Sequence, residues 1–202
     1  MSNKNLNWSL YNLGGKVNPI TKKISQIFQT EKGGVAVDLG CGSGSDALFW
    51  VKKGWNVFGV DTDISCAIQK KVFLSKEECL RYNLIQESIE KSNLPLSDLT
   101  YAFDSLFFCD INSFDTIWEK IYDHLKIGGI FSATLIGNRD HLATQKDDIV
   151  ILQRNIIINK IEPYYKILNF QEEYQDRLFT NLRTGKHSLA KRHWFSFIVQ
   201  KK

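Results

Sequence analysis

Short apolar runs alternate with stretches of helical spacing through the first two thirds of this chain. Asn18-Pro19 followed by Ile20, Ile24, Ile27 and Phe28 combines a capping residue, a proline at the first helical position and an apolar stripe, which predicts a helix over 19–30. After Gly33-Gly34, the run Val35-Ala36-Val37-Asp38-Leu39 ends in a glycine-rich turn, the pattern of a buried parallel strand. A helix over 45–53 follows, with Asp46 in its first turn and Gly54 just past its end, and then a second apolar strand over 55–60 that ends at Asp61. Beyond it the spacing predicts a helix over 64–80, a weaker strand over 84–86 and a fourth strand over 99–103. A helix capped by Ser113, with Ile117, Trp118, Ile121 and Leu125 inward, leads to a fifth strand over 130–136. Strands alternating with helices in this way predict an α/β fold with a parallel sheet.

The last third reads differently. Residues 151–164 look helical, 165–172 and 193–200 look like strands, and the polar residues 173–192 between them predict a loop. With no repeat and no low-complexity tract, the expectation is a single domain over 1–202, its core at 35–202 and a helical segment at 1–34 that serves as a possible lid.

Composition narrows the class without naming a function. At 43% hydrophobic and 24% charged residues the chain is ordinary globular material, with no run long enough to span a bilayer and no secretory pattern at its start, so the expected place is the cytosol. Cys41, Cys66, Cys79 and Cys109 are irregularly spaced, which points to buried thiols and to neither a zinc site nor a disulfide framework. A net charge of +4 is too even to imply a polyphosphate partner.

The informative segment is Asp38-Leu39-Gly40-Cys41-Gly42-Ser43-Gly44, an acid followed by three alternating glycines between a strand and a helix. Glycine permits positive φ and lets the backbone come closer to a ligand than a Cβ would. The carboxyl edge of an open α/β sheet is where nucleotide-like ligands bind. A pyrophosphate favours the bare positive end of a helix, yet here Asp38 precedes the turn and Asp46 occupies the first helical turn. A cofactor carrying a sulfonium and an ammonium suits those acids better, since opposite unit charges ~4 Å apart attract by about 4 kcal/mol at an effective dielectric of 20. Asp61, at the end of strand two, has the spacing of a carboxylate that accepts ribose hydroxyls.

At these residues the chain resembles the class I S-adenosylmethionine-dependent methyltransferases, and among them the small bacterial branch related to tellurite-resistance and thiopurine methyltransferases. The matching text is VAVDLGCGSGSDALFWVKKGWNVFGVD, SDLTYAFDSLFFCD, FDTIWEKIYDHLKIGGIFSATLIGNRD and RHWFSFIVQKK. The resemblance implies a Rossmann-like, doubly wound, seven-stranded sheet of order 3-2-1-4-5-7-6 with the last strand antiparallel. It also implies S-adenosylmethionine held against Asp38, Gly40, Cys41, Gly42, Asp61 and Thr62, its adenine by Glu87, Ser88, Ile89, Ala102 and Phe103. Phe103, Asp104 and Phe107 depart from the text usual after strand four in that branch, and of the motif usual before the last strand only His193 keeps its place.

Methyl transfer from a sulfonium is an in-line displacement that asks mainly for alignment and exclusion of water, so a catalytic base is optional for thiol, oxyanion or similar small-molecule acceptors. A sixth strand and an antiparallel seventh meet at the carboxyl edge, which sets the 173–192 loop over the cofactor. Arg183 and His187 in that loop, Arg139 after strand five and Asp104 after strand four are the candidate acceptor residues. Trp8 and Tyr11 are candidate lid residues and Lys16 a candidate partner of the cofactor carboxylate. Two other readings stand beside this one. The basic residues Lys186, Lys191, Arg192, Lys201 and Lys202 suggest a nucleic-acid methyltransferase, although Phe103-Asp104-Ser105-Leu106 is not the tetrad used on exocyclic base amines. A non-catalytic nucleotide-binding protein of the same fold is the other.

Overall fold

The computed structural model describes residues 15–28, 33–144, 148–180 and 187–202. At its centre lies β1 (Val35–Leu39), flanked in parallel by β2 (Asn56–Asp61) and β4 (Ser97–Ala102), so that Asp38 sits opposite Gly59 on one side and Tyr101 on the other. With β3 (Tyr82–Gln86), β5 (Leu125–Gly137), β7 (Tyr165–Thr180) and β8 (His187–Lys201), the sheet runs β3-β2-β1-β4-β5-β8-β7, and β8 is antiparallel to both neighbours. This is the expected doubly wound order. An eighth strand, β6 (Ile151–Leu152), joins the end of β5 through Ile136 and Gly137.

Alternation along β1 assigns its side chains to opposite layers. Val37 and Leu39 join Ile117, Trp118, Ile157 and Phe131 beneath α5 (Phe114–Asp123) and α6 (Arg154–Ile161). Ala36 joins Ile24, Trp50 and Val51 beneath α1 (Pro19–Ile27) and α2 (Ser45–Lys52), the layer to which Asp38 also belongs. The helix α1 starts as its sequence predicts, with the Asn18 side chain accepting from the Ile20 amide and Pro19 at its first position.

Three expectations are corrected. The helix expected over 64–80 is broken into α3 (Ser65–Lys70), a 3-10 turn (Lys71–Phe73) and α4 (Lys76–Leu80). Ser75 and Glu78 form a reciprocal capping box that starts a new helix inside the apparent stripe. Ser113 does not cap α5, because its hydroxyl donates to the Asp110 carboxylate instead.

The third correction bears on function. The polar stretch expected as a loop is mostly strand, for 173–180 pair with 187–194 as a two-stranded ribbon. β5 pairs with β8 only from Trp194 to Gln200, so the ribbon runs on past the carboxyl end of β5. Tyr174, Leu178 and Leu189 are exposed on it. Of its described side chains only Ala190 and His193 are buried, so its sequence lacks the apolar alternation by which strands are read. Cys41, Cys66 and Cys109 are buried free thiols as expected, while Cys79 is half-buried.

Candidate cofactor and acceptor site

The glycine turn is tied down residue by residue. The amides of Gly40 and Cys41 both donate to the Val60 carbonyl, at 2.8 and 3.0 Å, and the Gly42 amide donates to Asp61 Oδ2 at 2.8 Å. Gly40, Gly42 and Gly44 have φ of 78°, 48° and 72°, the left-handed region that a side chain resists. The close approach that Gly40 permits is to the chain itself, because a Cβ there would lie 2.2 Å from Ser105 Cβ. Ser105 follows β4, and its hydroxyl donates to the Leu39 carbonyl, locking the β4 exit onto the β1 exit.

Around this turn stand four carboxylates. Asp38 is 5% exposed, and burial first, then repulsion from Asp46 and Asp61, holds its carboxyl well above the usual carboxylate range, while the Tyr101 hydroxyl works the other way. Asp46 is also pushed up, chiefly by burial, although it accepts from Thr21 Oγ1 at 2.6 Å and the Asn18 amide at 2.8 Å. Asp104 contributes to that upward push and so stands with the acids. It has φ of 55° and is fixed by Thr134, whose hydroxyl accepts from its amide at 2.6 Å and donates to its Oδ1 at 3.0 Å. Asp61 is half-buried and accepts the Asp63 amide as well as that of Gly42.

The remaining candidates follow from these elements. Cys41 shapes the turn through its backbone; its side chain lies against β2, where a Cβ on Gly59 would sit 3.1 Å from Sγ, and burial pushes its thiol up. Thr62 and Glu87 are exposed, with the Glu87 amide donating to the Asp61 carbonyl, and Ser88 is half-buried beside buried Ile89. Ala102 is fully buried, while half-buried Phe103 stacks on Tyr101 at 5.4 Å between centroids. Lys16 is exposed next to Gly15, whose carbonyl accepts from Ser45 Oγ at 2.7 Å.

Beyond β5 a second group assembles that sequence reasoning had found only in part. The Arg139 amide donates to His193 Nδ1 at 3.2 Å, so Nε2 carries the proton and donates to Glu172 Oε1 at 3.1 Å. Both ring nitrogens of His193 are thus engaged. The His193 ring stacks on Tyr174 at 4.3 Å, the Tyr174 hydroxyl donates to Glu172, and the Arg139 guanidinium lies 5.2 Å from the Tyr174 centroid. Buried Asp140 accepts from Arg192 Nε and the His193 amide. Tyr174 and then Arg154 and His193 hold the Glu172 carboxyl below its usual range. His187 opens β8 opposite Thr180; Arg183, Trp8 and Tyr11 lie outside the described residues. Nothing in 1D spacing marks Glu172, Tyr174 or Asp140 as partners of His193.

The join between β5 and β8 leaves no spare volume, since a Cβ on Gly137 would lie 2.2 Å from the His193 ring. Gly137→Ala is therefore expected to cost about 2–3 kcal/mol of stability, the scale of overpacking a filled core. Urea denaturation measures it, and a variant within 0.5 kcal/mol or so of wild type would show that His193 moves aside freely.

Comparison with known proteins bears on the fold. Residues 36–129 match the model of a methyltransferase domain. TehB from Haemophilus influenzae superposes with a TM-score of 0.74 at 16% identity, over 92% of this chain and 63% of that chain. The fold is that of the class I methyltransferases. The chain spans less than two thirds of the TehB chain. Two methyltransferases solved with S-adenosylhomocysteine have the same fold. The 1,6-didemethyltoxoflavin-N1-methyltransferase of Burkholderia thailandensis, which also holds 1,6-didemethyltoxoflavin, has a TM-score of 0.63 at 13% identity, over 92% of this chain and 77% of that one. The N-methyltransferase NodS of Bradyrhizobium japonicum WM9 has a TM-score of 0.64 at 10% identity, over 96% of each chain. No curated protein matches the chain by sequence. Among the described residues no helix is long and apolar enough to cross a membrane, and no group of side chains is arranged to hold a metal ion.

Proposed function

We propose that this protein is a methyltransferase that moves a methyl group from S-adenosylmethionine to a small-molecule acceptor, as a single domain, and that it stands near the tellurite-resistance and thiopurine branch. The observation that carries the reading is the gathering of Asp38, Asp46, Asp61 and Asp104 at a positive-φ glycine turn. Of these, Asp38 is buried and Asp46 half-buried, and both are pushed up by burial and by neighbouring carboxylates, a cost that a cation relieves. A cofactor with two positive centres, its sulfonium and its ammonium, fits that set; a pyrophosphate does not.

In this reading Asp61, already holding the Gly42 and Asp63 amides, directs its remaining lone pairs at the ribose hydroxyls. Asp38 and Asp104 face the positive groups, with Asp46 behind them. When bound, the cofactor supplies an electrophilic methyl group on a sulfonium. The chain's own part is to fix the turn, neutralise the cation and keep water from the reacting atoms. With both of its nitrogens engaged, His193 serves positioning, which suits an acceptor that brings its own lone pair. The 1,6-didemethyltoxoflavin-N1-methyltransferase, which has the same fold and holds a small molecule beside S-adenosylhomocysteine, supports a small-molecule acceptor.

Calorimetry with S-adenosylmethionine, S-adenosylhomocysteine and NADH tests the reading. Micromolar binding of the first two and none of the third is expected. Binding of NADH, or of nothing, would remove it; cofactor binding with no turnover over a panel of thiols, oxyanions and amines would favour the non-catalytic alternative.

A further inference from the structure

We propose that Lys70 is a positioning residue for the glycine turn, acting through the hydroxyls of Ser43 and Ser45. The proposal rests on the cofactor reading above. Lys70 ends α3 and is only 8% exposed, yet among the described residues no carboxylate pairs with its ammonium. Instead Nζ donates to Ser45 Oγ at 2.5 Å and to Ser43 Oγ at 3.2 Å. Ser45 in turn donates to the Gly15 carbonyl at 2.7 Å. One buried ammonium therefore joins α3, the turn and the segment that leads into α1.

Its location is electrostatically poor. Burial pushes Lys70 below the usual lysine range, and the amino end of α2 is the positive end of that helix. Asp46 favours the charge through space without touching it. A cation placed at such cost, where a neutral side chain would pack, points to its hydrogen bonds as the reason. Glycines 40, 42 and 44 offer the fold no side chains by which to hold a left-handed turn. Ser43, between two of them and 6% exposed, is one such handle, and Lys70 grips it while Asp61 holds the preceding amide. An acid and a base thus anchor adjacent residues of one turn. Asp46 completes the clasp by receiving the Asn18 amide and the Thr21 hydroxyl.

The test uses Lys70→Met, Ser45→Ala and the double variant of the full chain, with two readouts: the Kd for S-adenosylhomocysteine, and hydrogen exchange, without cofactor, of the amides in 16–21 other than Pro19, which has none. Lys70→Met is expected to weaken binding about tenfold, the scale of losing hydrogen bonds to a charged group, and to speed exchange at 16–21 while β1 and β4 stay protected. Ser45→Ala should give part of both effects, and the double variant should cost less than the sum of the two single losses, because Lys70 reaches the Gly15 segment only through Ser45. Additive losses, or a folded Lys70→Met with wild-type Kd and exchange, would overturn the proposal. Should Lys70→Met fail to fold, Ser45→Ala decides alone: wild-type values on both readouts overturn it. If wild type binds no S-adenosylhomocysteine, the cofactor reading fails and exchange by itself judges the clasp.

Discussion

Asp61→Ala is expected to raise the Kd for S-adenosylmethionine and S-adenosylhomocysteine by about 100-fold or more, a loss of charge-assisted hydrogen bonds on both sides of one carboxylate. Oδ2 holds the Gly42 amide and Oδ1 the Asp63 amide, so alanine both removes the proposed ribose acceptor and releases the turn at its middle glycine. Stability should change little, because Asp61 is half-exposed and water can reach the freed amides. Asp61→Asn separates the two roles. Its single amide oxygen can still accept from Gly42, and its NH2 cannot accept from anything, so a loss of about tenfold is expected. Calorimetry on both variants, with thermal unfolding as the control, checks this. Binding by Asp61→Ala within about threefold of wild type, some 0.6 kcal/mol, would show that Asp61 serves only the turn.

The parts of this molecule that could be read in one dimension are those whose physics is local. Val35 to Leu39 is buried on both faces and so reads as an unbroken apolar run, and the turn after it needs positive φ at Gly40, Gly42 and Gly44, which glycine announces. The pairing of Asn18 with Pro19 likewise marked the start of α1. The break at Ser75 was legible too, through Glu78 three residues on, but the apolar stripe across it masks the capping box.

What could not be read depends on contacts between distant positions. Gly40 has the appearance of a ligand-facing glycine, and only the fold shows that Ser105 fills the space above it. Lys70 stands in an ordinary Lys-Lys pair, one of which is buried against serines on another element and one of which donates to the Tyr82 carbonyl. The ribbon is invisible because few of its described side chains are buried, so no apolar alternation marks it. His193 was singled out by resemblance, yet its neighbours Glu172, Tyr174 and Asp140 come from elements 21, 19 and 53 residues away, which no spacing rule connects. The proposed cofactor half of the site thus lies close to one βαβ unit and is legible, whereas the proposed acceptor half is assembled from β4, β5 and the ribbon.

Asp38→Asn is expected to do two opposite things, stabilise the empty protein at neutral pH and weaken the cofactor. The Asp38 carboxyl is raised by burial and by Asp46, so the folded chain holds its proton more tightly than the unfolded chain does. Stability from that group is fully present below the unfolded pKa and is lost as pH rises through the folded one, where an ionised carboxylate must stand among Asp46 and Asp61. Asparagine does not titrate and keeps the size of the side chain it replaces. The stability difference, variant minus wild type, should therefore be smallest in acid, grow as pH rises from the ordinary carboxylate range, and level off above the folded pKa of Asp38 at about 1–2 kcal/mol, the scale of relieving one poorly solvated polar group. A bound cation reverses the balance, because it favours the ionised form. Below the raised pKa, wild type should release a proton on binding S-adenosylmethionine, seen as a dependence of the calorimetric enthalpy on buffer ionisation, and Asp38→Asn should bind at least about tenfold more weakly with no such dependence. A variant that is less stable at neutral pH, or that binds as wild type does, would mean that Asp38 is neutralised inside the fold and that the cofactor's charge is met by Asp104 and Asp61 instead.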